Sequence, residues 1–316
     1  MRIFALVIFF LISPAVTAFA SDEPFVRAPY RIDYGGWFTV SVTIDGQGPY
    51  DFIIDTGSSQ TFVFENLARA KSFPPSGGPD RTILGMSATA KFPTYVVGDI
   101  AFGKAILENA WCVVLQDWLV DDKSPHGVIG LDMLSSYKLV FDVARQEVLL
   151  FRADASPQDR FAQWAATPLQ ADDFGLNAGE LYTVIGTVER KPVRFLVDLG
   201  ASGTIINRAA ATGVAQGNEF RLSLAPRLST TPIGQVVDAL DEEVETQTIM
   251  VRRFRIGTTS WSRKLLILHN AQLFTEIGVA DKPFGLLGAD MLRDRSFAID
   301  FPNQQLLIGP KGGEKS

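Results

Sequence analysis

FTVSVTIDGQGPYDFIIDTGSS, residues 38–59, and LYTVIGTVERKPVRFLVDLGAS, residues 181–202, are two versions of one pattern. Laid over each other without a gap at an offset of 143, they bring Pro49 onto Pro192, Phe52 onto Phe195 and Asp55 onto Asp198. Each alternates apolar and polar residues, crosses a short turn and runs apolar into an aspartate. That is the pattern of a β-hairpin whose second strand ends in a loop. The loops are Asp-x-Gly-x-Ser: DTGSS from Asp55 and DLGAS from Asp198. At ordinary residue usage such a pentapeptide is expected on the order of 0.1 times in a chain of this length. Here it occurs twice, each time after an apolar strand.

A second pair of blocks follows at an offset of 158: residues 127–151 over 285–309. Gly127/Gly285, Gly130/Gly288, Asp132/Asp290, Met133/Met291, Leu134/Leu292, Asp142/Asp300 and Leu149/Leu307 are identical. The second copy therefore carries 15 extra residues between its blocks. Fixed-offset self-similarity of this kind means two copies of one structural unit. Many short strand-like runs broken by Gly, Pro, Asn and Asp, with little 3.6-residue periodicity, make the class all-β. Short helices are expected at Glu65–Ala70, at Arg208–Ala211 and after each Gly-x-Asp-Met-Leu element. Ser156, Pro157 and Asp159 predict a short connecting helix. The expected organisation is a signal peptide at 1–20, an N-terminal lobe at 21–151, a linker at 152–167, a C-terminal lobe at 168–310 and a disordered tail at 311–316.

The first twenty residues, MRIFALVIFFLISPAVTAFA, carry one positive charge, an apolar run from Ile3 to Ile12 and a small-residue cleavage pattern ending at Ala20. The run breaks at Ser13 and Pro14, well short of the roughly 20 residues a spanning helix needs. The expectation is an exported protein, periplasmic or secreted, with no stable membrane insertion after cleavage. Without that segment 28 Lys and Arg face 35 Asp and Glu, a net charge of −7, which argues against nucleic acid as a partner. Cys112 is the only cysteine, so no intramolecular disulfide is possible, and its apolar neighbours make it a buried small side chain. The two histidines, His126 and His269, with no HExxH or CxxC, supply no metal site, and no cofactor motif is present. Both histidines are expected in turns or at the surface. Ser135-x-x-Lys138 has the spacing of a serine nucleophile and its base, but its repeat partner, 293–296, lacks both residues, so it is taken as a chance match. Asp132, Asp290, Asp142 and Asp300 are expected to cap helices and form turns rather than to act in catalysis.

An apolar-apolar-Asp-Thr-Gly-Ser loop followed some 70 residues later by apolar-apolar-Gly resembles the aspartic peptidases. Val128-Ile129-Gly130 and Leu286-Leu287-Gly288 supply the second motif in both copies. From about Asp33 to Gly309 the chain is similar to a duplicated retropepsin with both lobes in one chain, as in pepsins. The resemblance implies a bilobal acid-protease fold of two β-barrel-like lobes, a catalytic pair Asp55 and Asp198, a peptide or protein substrate, no cofactor and a monomer. It also implies that Thr56, Gly57, Ser58, Leu199, Gly200 and Ala201 support the active-site loops. In the family the residue matching Thr56 bonds across the lobes, and a hydroxyl at the positions of Ser58 and Ala201 donates to the neighbouring carboxylate. Leu199 departs from the pattern, because it cannot make the threonine bond, and Ala201 has no hydroxyl. The flap over the cleft is expected near Leu84–Ser87, with Gly85 and Met86 at the substrate. Its counterpart in the second copy is expected within 234–245, where Asp238, Asp241, Glu242, Glu243 and Glu245 make either a preference for basic peptides or a solvated face.

Two carboxylates within hydrogen-bond reach cannot both stay ionised, so such a pair holds one proton and offers a base and an acid together. The function expected is that of an aspartic endopeptidase with a mildly acidic optimum. A pseudopeptidase that binds extended peptides without cutting them stays open because of Leu199.

Overall fold

A computed structural model of the chain describes residues 23–86, 88–117, 124–154, 161–175, 179–215, 236–237, 243–244 and 246–311. The architecture is mostly β and contains two closed six-stranded barrels. In the N-terminal barrel Phe38–Ile44, Gln47–Ile54, Gly127–Ile129, Phe62–Phe64, Ala105–Leu115 and Thr94–Phe102 follow one another around the wall, and Thr43 closes it by pairing with Ala101. The C-terminal barrel repeats that order with Leu181–Val188, Lys191–Val197, Phe284–Leu287, Ile205–Ile206, Thr259–Leu268 and Gln247–Ile256, closed by Gly186 against Ile256. Closure removes the exposed strand edges that an open sheet would present.

Each apolar-apolar-Gly triplet belongs to a strand running parallel to the one that ends in an aspartate: Gly127 lies beside Phe52, and Gly285 beside Phe195. These glycines recur for a packing reason. A Cβ on Gly127 would fall 2.6 Å from the Phe52 ring, and one on Gly285 would fall 2.9 Å from the Phe195 ring. Repetition of both the glycine and the phenylalanine is thus one contact kept twice.

The barrels are joined by an antiparallel sheet in the order Val26–Pro29, Glu147–Arg152, Tyr137–Asp142, Arg295–Asp300, Gln305–Lys311 and Ala165–Asp172. At its centre Val140 faces Ala298, positions related by the offset of 158, so the sheet itself is built about the duplication. Lys138 and Asp300, both buried, form an ion pair of 2.9 Å there. That pairing commits the lysine of the chance Ser-x-x-Lys spacing to structure. Phe141 and Phe297 stack across the same join, with ring centroids 4.7 Å apart.

Several expectations need correction. The offset of 143 is not uniform: Thr39 pairs with Ile53, whereas Thr183 pairs with Leu196. A β-bulge at Gly48–Pro49 adds a residue to the second strand of the first hairpin, so the offset is 144 before the bulge and 143 after it. Helices occur at Glu65–Lys71 and Arg208–Ala215, but those of the Gly-x-Asp-Met-Leu elements, Leu131–Leu134 and Ala289–Leu292, lie inside the motif rather than after it. The strand Ala165–Asp172 begins inside the expected linker, and Lys311 ends a strand instead of opening a disordered tail. The helix expected around Ser156–Asp159, the segment 1–20 and the residues 312–316 lie outside the described residues. Cys112 is buried, and that burial pushes its thiol pKa up to about 12, which keeps it protonated and inert. No described helix is long and apolar enough to cross a membrane.

Candidate active site

Asp55 and Asp198 each follow the last residue of a barrel strand, one in each lobe. Their backbones are fixed in the same way: Asp55 N–H donates to Ile129 O and Asp198 N–H to Leu287 O, both at 3.0 Å. One turn later Leu131 N–H donates to Ser58 O at 2.9 Å and Ala289 N–H to Ala201 O at 2.8 Å. Each aspartate loop is therefore laced to its own lobe's apolar-apolar-Gly element at two points.

The two carboxyl groups meet between the lobes, close enough for each to bear on the other's ionisation. Glycine follows by steric necessity. A Cβ on Gly57 would lie 2.5 Å from Asp198 Cγ, and one on Gly200 would overlap the Asp55 carboxyl. Only a residue without a side chain lets the opposite aspartate come this close. Asp55 Oδ1 accepts from Gly57 N–H at 2.8 Å and Ser58 N–H at 3.2 Å, while Asp198 Oδ1 accepts from Ala201 N–H at 3.0 Å. Burial raises the pKa of both carboxyls, and the like charge of Asp55 drives that of Asp198 further up; the backbone N–H donors oppose the rise. Both carboxyls are thereby held toward their protonated form, Asp198 the more strongly.

Thr56 spans the lobes. Its Oγ1 donates to Val197 O at 2.8 Å and accepts from Leu199 N–H at 3.1 Å. Leu199 returns no such bond; its side chain is buried in the main core cluster. The grip between the loops is thus one-sided, made by the N-terminal lobe alone. Ser58 differs from expectation: its hydroxyl donates to Gln60 O at 2.7 Å, so only its backbone N–H reaches Asp55. The loop curls back on itself after Gly57, and that turn takes the hydroxyl away from the carboxylates. Ser58 and Ala201 consequently contribute alike, through their amides.

Asp132 and Asp290 do not cap helices with their side chains; Gly130 and Gly288 occupy those positions. Asp132 instead accepts from Thr61 N–H at 2.8 Å and Thr61 Oγ1 at 2.7 Å, and Asp290 accepts from Thr204 Oγ1 at 2.7 Å. The same hydroxyls accept from Gly130 N–H and Gly288 N–H, both at 3.1 Å. These threonines clamp the strand after each aspartate loop to the glycine element. Their separation of 143 was a visible signal in the sequence. Burial raises the Asp290 pKa to about 6. Asp142 and Asp300 do form turns, accepting from Arg145 N–H and Asn303 N–H.

The hairpin Arg81–Leu84 with Thr89–Phe92 carries Gly85 and Met86 at its turn, closed by Gly85 N–H donating to Ala88 O at 2.8 Å. The turn reaches the other lobe: Gln272 N–H donates to Met86 O at 2.6 Å, and Met86 packs on the main core cluster. In the second lobe Val236–Val237 pairs with Glu243–Val244, within the region expected for a counterpart. Its acidic residues other than Glu243 lie outside the described residues. His126 accepts Asp51 N–H at its Nδ1, and no cluster of three or more metal-binding side chains occurs among the described residues.

Trp37 was not among the expected site residues. Its Nε1–H donates to Gly200 O at 2.6 Å across the lobe boundary.

A search of curated proteins gave no match. The family model described as aspartyl protease matches twice, over residues 40–133 and 184–291, each match running from a barrel hairpin through its aspartate loop to its Gly-x-Asp-Met element. With both halves of its duplicated fold matched, the chain belongs to the aspartyl protease family.

Proposed function

We propose that this protein is an exported aspartic endopeptidase that hydrolyses peptide bonds in extended peptide or protein segments laid between the lobes. The observation that carries the reading is the close approach of the two buried carboxyls, each held on a loop that the other lobe's aspartate requires to be glycine. The ionised carboxyl takes a proton from water as its oxygen bonds to the peptide carbonyl carbon, and the protonated carboxyl gives its proton to the carbonyl oxygen. Collapse of the resulting diol breaks the C–N bond. The amine leaves with the proton taken from water, and the second carboxyl recovers its own from the diol. In this reading the hairpin turn at Gly85 and Met86 serves as the flap that covers the bound segment and excludes bulk water.

The raised pKa values set the pH window. Activity requires one proton on the pair, so it falls as pH rises through the upper value, and the optimum belongs in the acidic to mildly acidic range. Leu199 motivates the second reading, a cleft that binds extended peptides without cutting them. Incubation of the purified mature chain with an unstructured protein at pH 3 to 8, with and without pepstatin, separates the two. Internal cuts that pepstatin blocks support the endopeptidase. Saturable peptide binding with no cut at any pH supports the binder.

A further inference from the structure

The missing threonine at position 199 leaves the second aspartate loop in want of a partner on its own side of the grip. We propose that Trp37 is a positioning residue for the pair, its indole N–H holding Gly200 so that the Asp198 loop is tethered to the N-terminal lobe at two points.

Gly200 connects the tether to the chemistry. Its amide N–H lies within hydrogen-bond reach of the carboxyls, while its carbonyl oxygen accepts the Trp37 bond. That oxygen shares its peptide plane with Ala201 N–H, the donor to Asp198 Oδ1 at 3.0 Å, so fixing the oxygen fixes the plane that aims this amide at the pair. With Thr56 bonded to Val197 and Leu199, the three residues 197, 199 and 200 around Asp198 are all gripped from the first lobe.

The indole is held rigidly enough to serve. Arg31–Ile32 pairs with Phe38–Ile44, which leaves a tight turn at residues 33–37. Within it Asp33 accepts Trp37 N–H at 3.0 Å and Thr39 Oγ1–H at 3.2 Å, and Gly36 takes a φ of +85°. The indole folds back over Gly35, where any Cβ would collide with its ring. It is buried with Ile53, Phe62, Phe64 and Val128, the strands that carry the Asp55 loop. Arg293 and Ser202 of the second lobe border the turn, 3.2 and 3.7 Å from a Cβ built on Gly36. The duplication does not repeat the device: Trp37 matches Glu180 at an offset of 143 and Leu181 at 144, and neither an ionised carboxylate nor a leucine side chain can donate. The tether exists on the side where threonine is lost in the partner loop.

The inference rests on the peptidase reading for its kinetic consequence, and its test has a second readout that does not. Trp37→Phe keeps the ring and removes the N–H. Its kcat on a defined peptide should fall about tenfold to a hundredfold with KM within about threefold, the size of effect expected for a displacement near 1 Å. Leu199→Thr added to Trp37→Phe supplies the absent half of the grip and should return kcat to within about threefold of the parent. Independently of turnover, carboxyl carbon NMR titration of Asp55 and Asp198 should show their two apparent pKa values drawing together in Trp37→Phe and separating again in the double variant. If Trp37→Phe fails to fold, the double variant is compared with Leu199→Thr alone, and the two should agree. Unchanged kcat and unchanged titration in Trp37→Phe, or a loss that Leu199→Thr does not restore, overturns the inference. A parent protein that cuts no peptide overturns the peptidase reading, and the titration then still decides the role of Trp37.

Discussion

Thr56→Val removes the one hydroxyl that joins the two aspartate loops and changes little else, because valine has nearly the same shape. In the native protein Thr56 Oγ1 serves Val197 O and Leu199 N–H together, and all three residues are buried. The variant strands a carbonyl and an amide of the opposite lobe, each at about 1 to 3 kcal/mol for a buried group left unpaired. Partial relaxation brings the expected loss to about 3 kcal/mol in equilibrium urea unfolding. Turnover suffers separately. With one side of the grip already lost to Leu199, a shift near 1 Å between the carboxyls lowers kcat about a hundredfold. Thr56→Ser is the control: it keeps the hydroxyl and deletes a methyl, a change of about 1 kcal/mol with kcat largely retained. The reasoning fails if Thr56→Val stays within about 0.5 kcal/mol of the parent with unchanged kcat, or if serine proves as damaging as valine.

Asp290, raised to about 6, binds its proton more tightly in the native state than the ordinary unfolded carboxyl near 3.9. Its presence therefore lowers stability as pH climbs from about 4 through 6, by about 3 kcal/mol in all. Asp290→Asn, whose amide oxygen can still accept from Thr204, should gain on the parent by roughly that amount between pH 4 and pH 7; a constant difference across the range would contradict the assignment. Lys138→Met leaves Asp300 as a lone buried charge and should cost about 3 to 5 kcal/mol, much of it recovered when Asp300→Asn is added, as read by denaturant midpoints. Gly288→Ala would place a Cβ 2.5 Å from the carbonyl carbon of Gly203 and should cost about 1 to 3 kcal/mol in thermal unfolding while also lowering kcat. A fully stable, fully active Gly288→Ala would remove the argument for close approach there.

The Asp-x-Gly-x-Ser loops could be read from sequence because their signal is local. Alternation of period two, a turn and an apolar run into aspartate all lie within some twenty residues, and duplication doubles the signal. The same local logic located the helix after Phe64 and the hairpin carrying Gly85. What depends on distant partners could not be read. Trp37 in an apolar strand start looks like one more core side chain, since nothing nearby announces that its N–H meets a carbonyl 163 residues away. The sheet that joins the lobes was invisible for the same reason: Val140 and Ala298 are each plausible in any buried strand. The direction of the Ser58 hydroxyl was misjudged because two acceptors, a carboxylate and the Gln60 carbonyl, compete within one turn, and backbone geometry decides between them. The bulge at Gly48–Pro49 hid behind a gap-free alignment because an offset of 143, right for the second strand, sets the first strand one residue out of its structural register without breaking the run. Thr61 and Thr204 were recoverable, being 143 apart and followed in space by Asp132 and Asp290.

The central claim is that Asp55 and Asp198 work as one proton-sharing pair, and turnover of a defined peptide by Asp55→Asn and Asp198→Asn tests it most directly. Both asparagine variants keep the shape of the loop, so folding can be matched to the parent by unfolding curves before rates are compared. Each should lose about a hundredfold to ten-thousandfold or more in kcat, since either substitution removes the base or the acid from the same step. If one variant retains kcat within about tenfold of the parent, the two carboxyls do not share the chemistry, and the account is wrong at its centre.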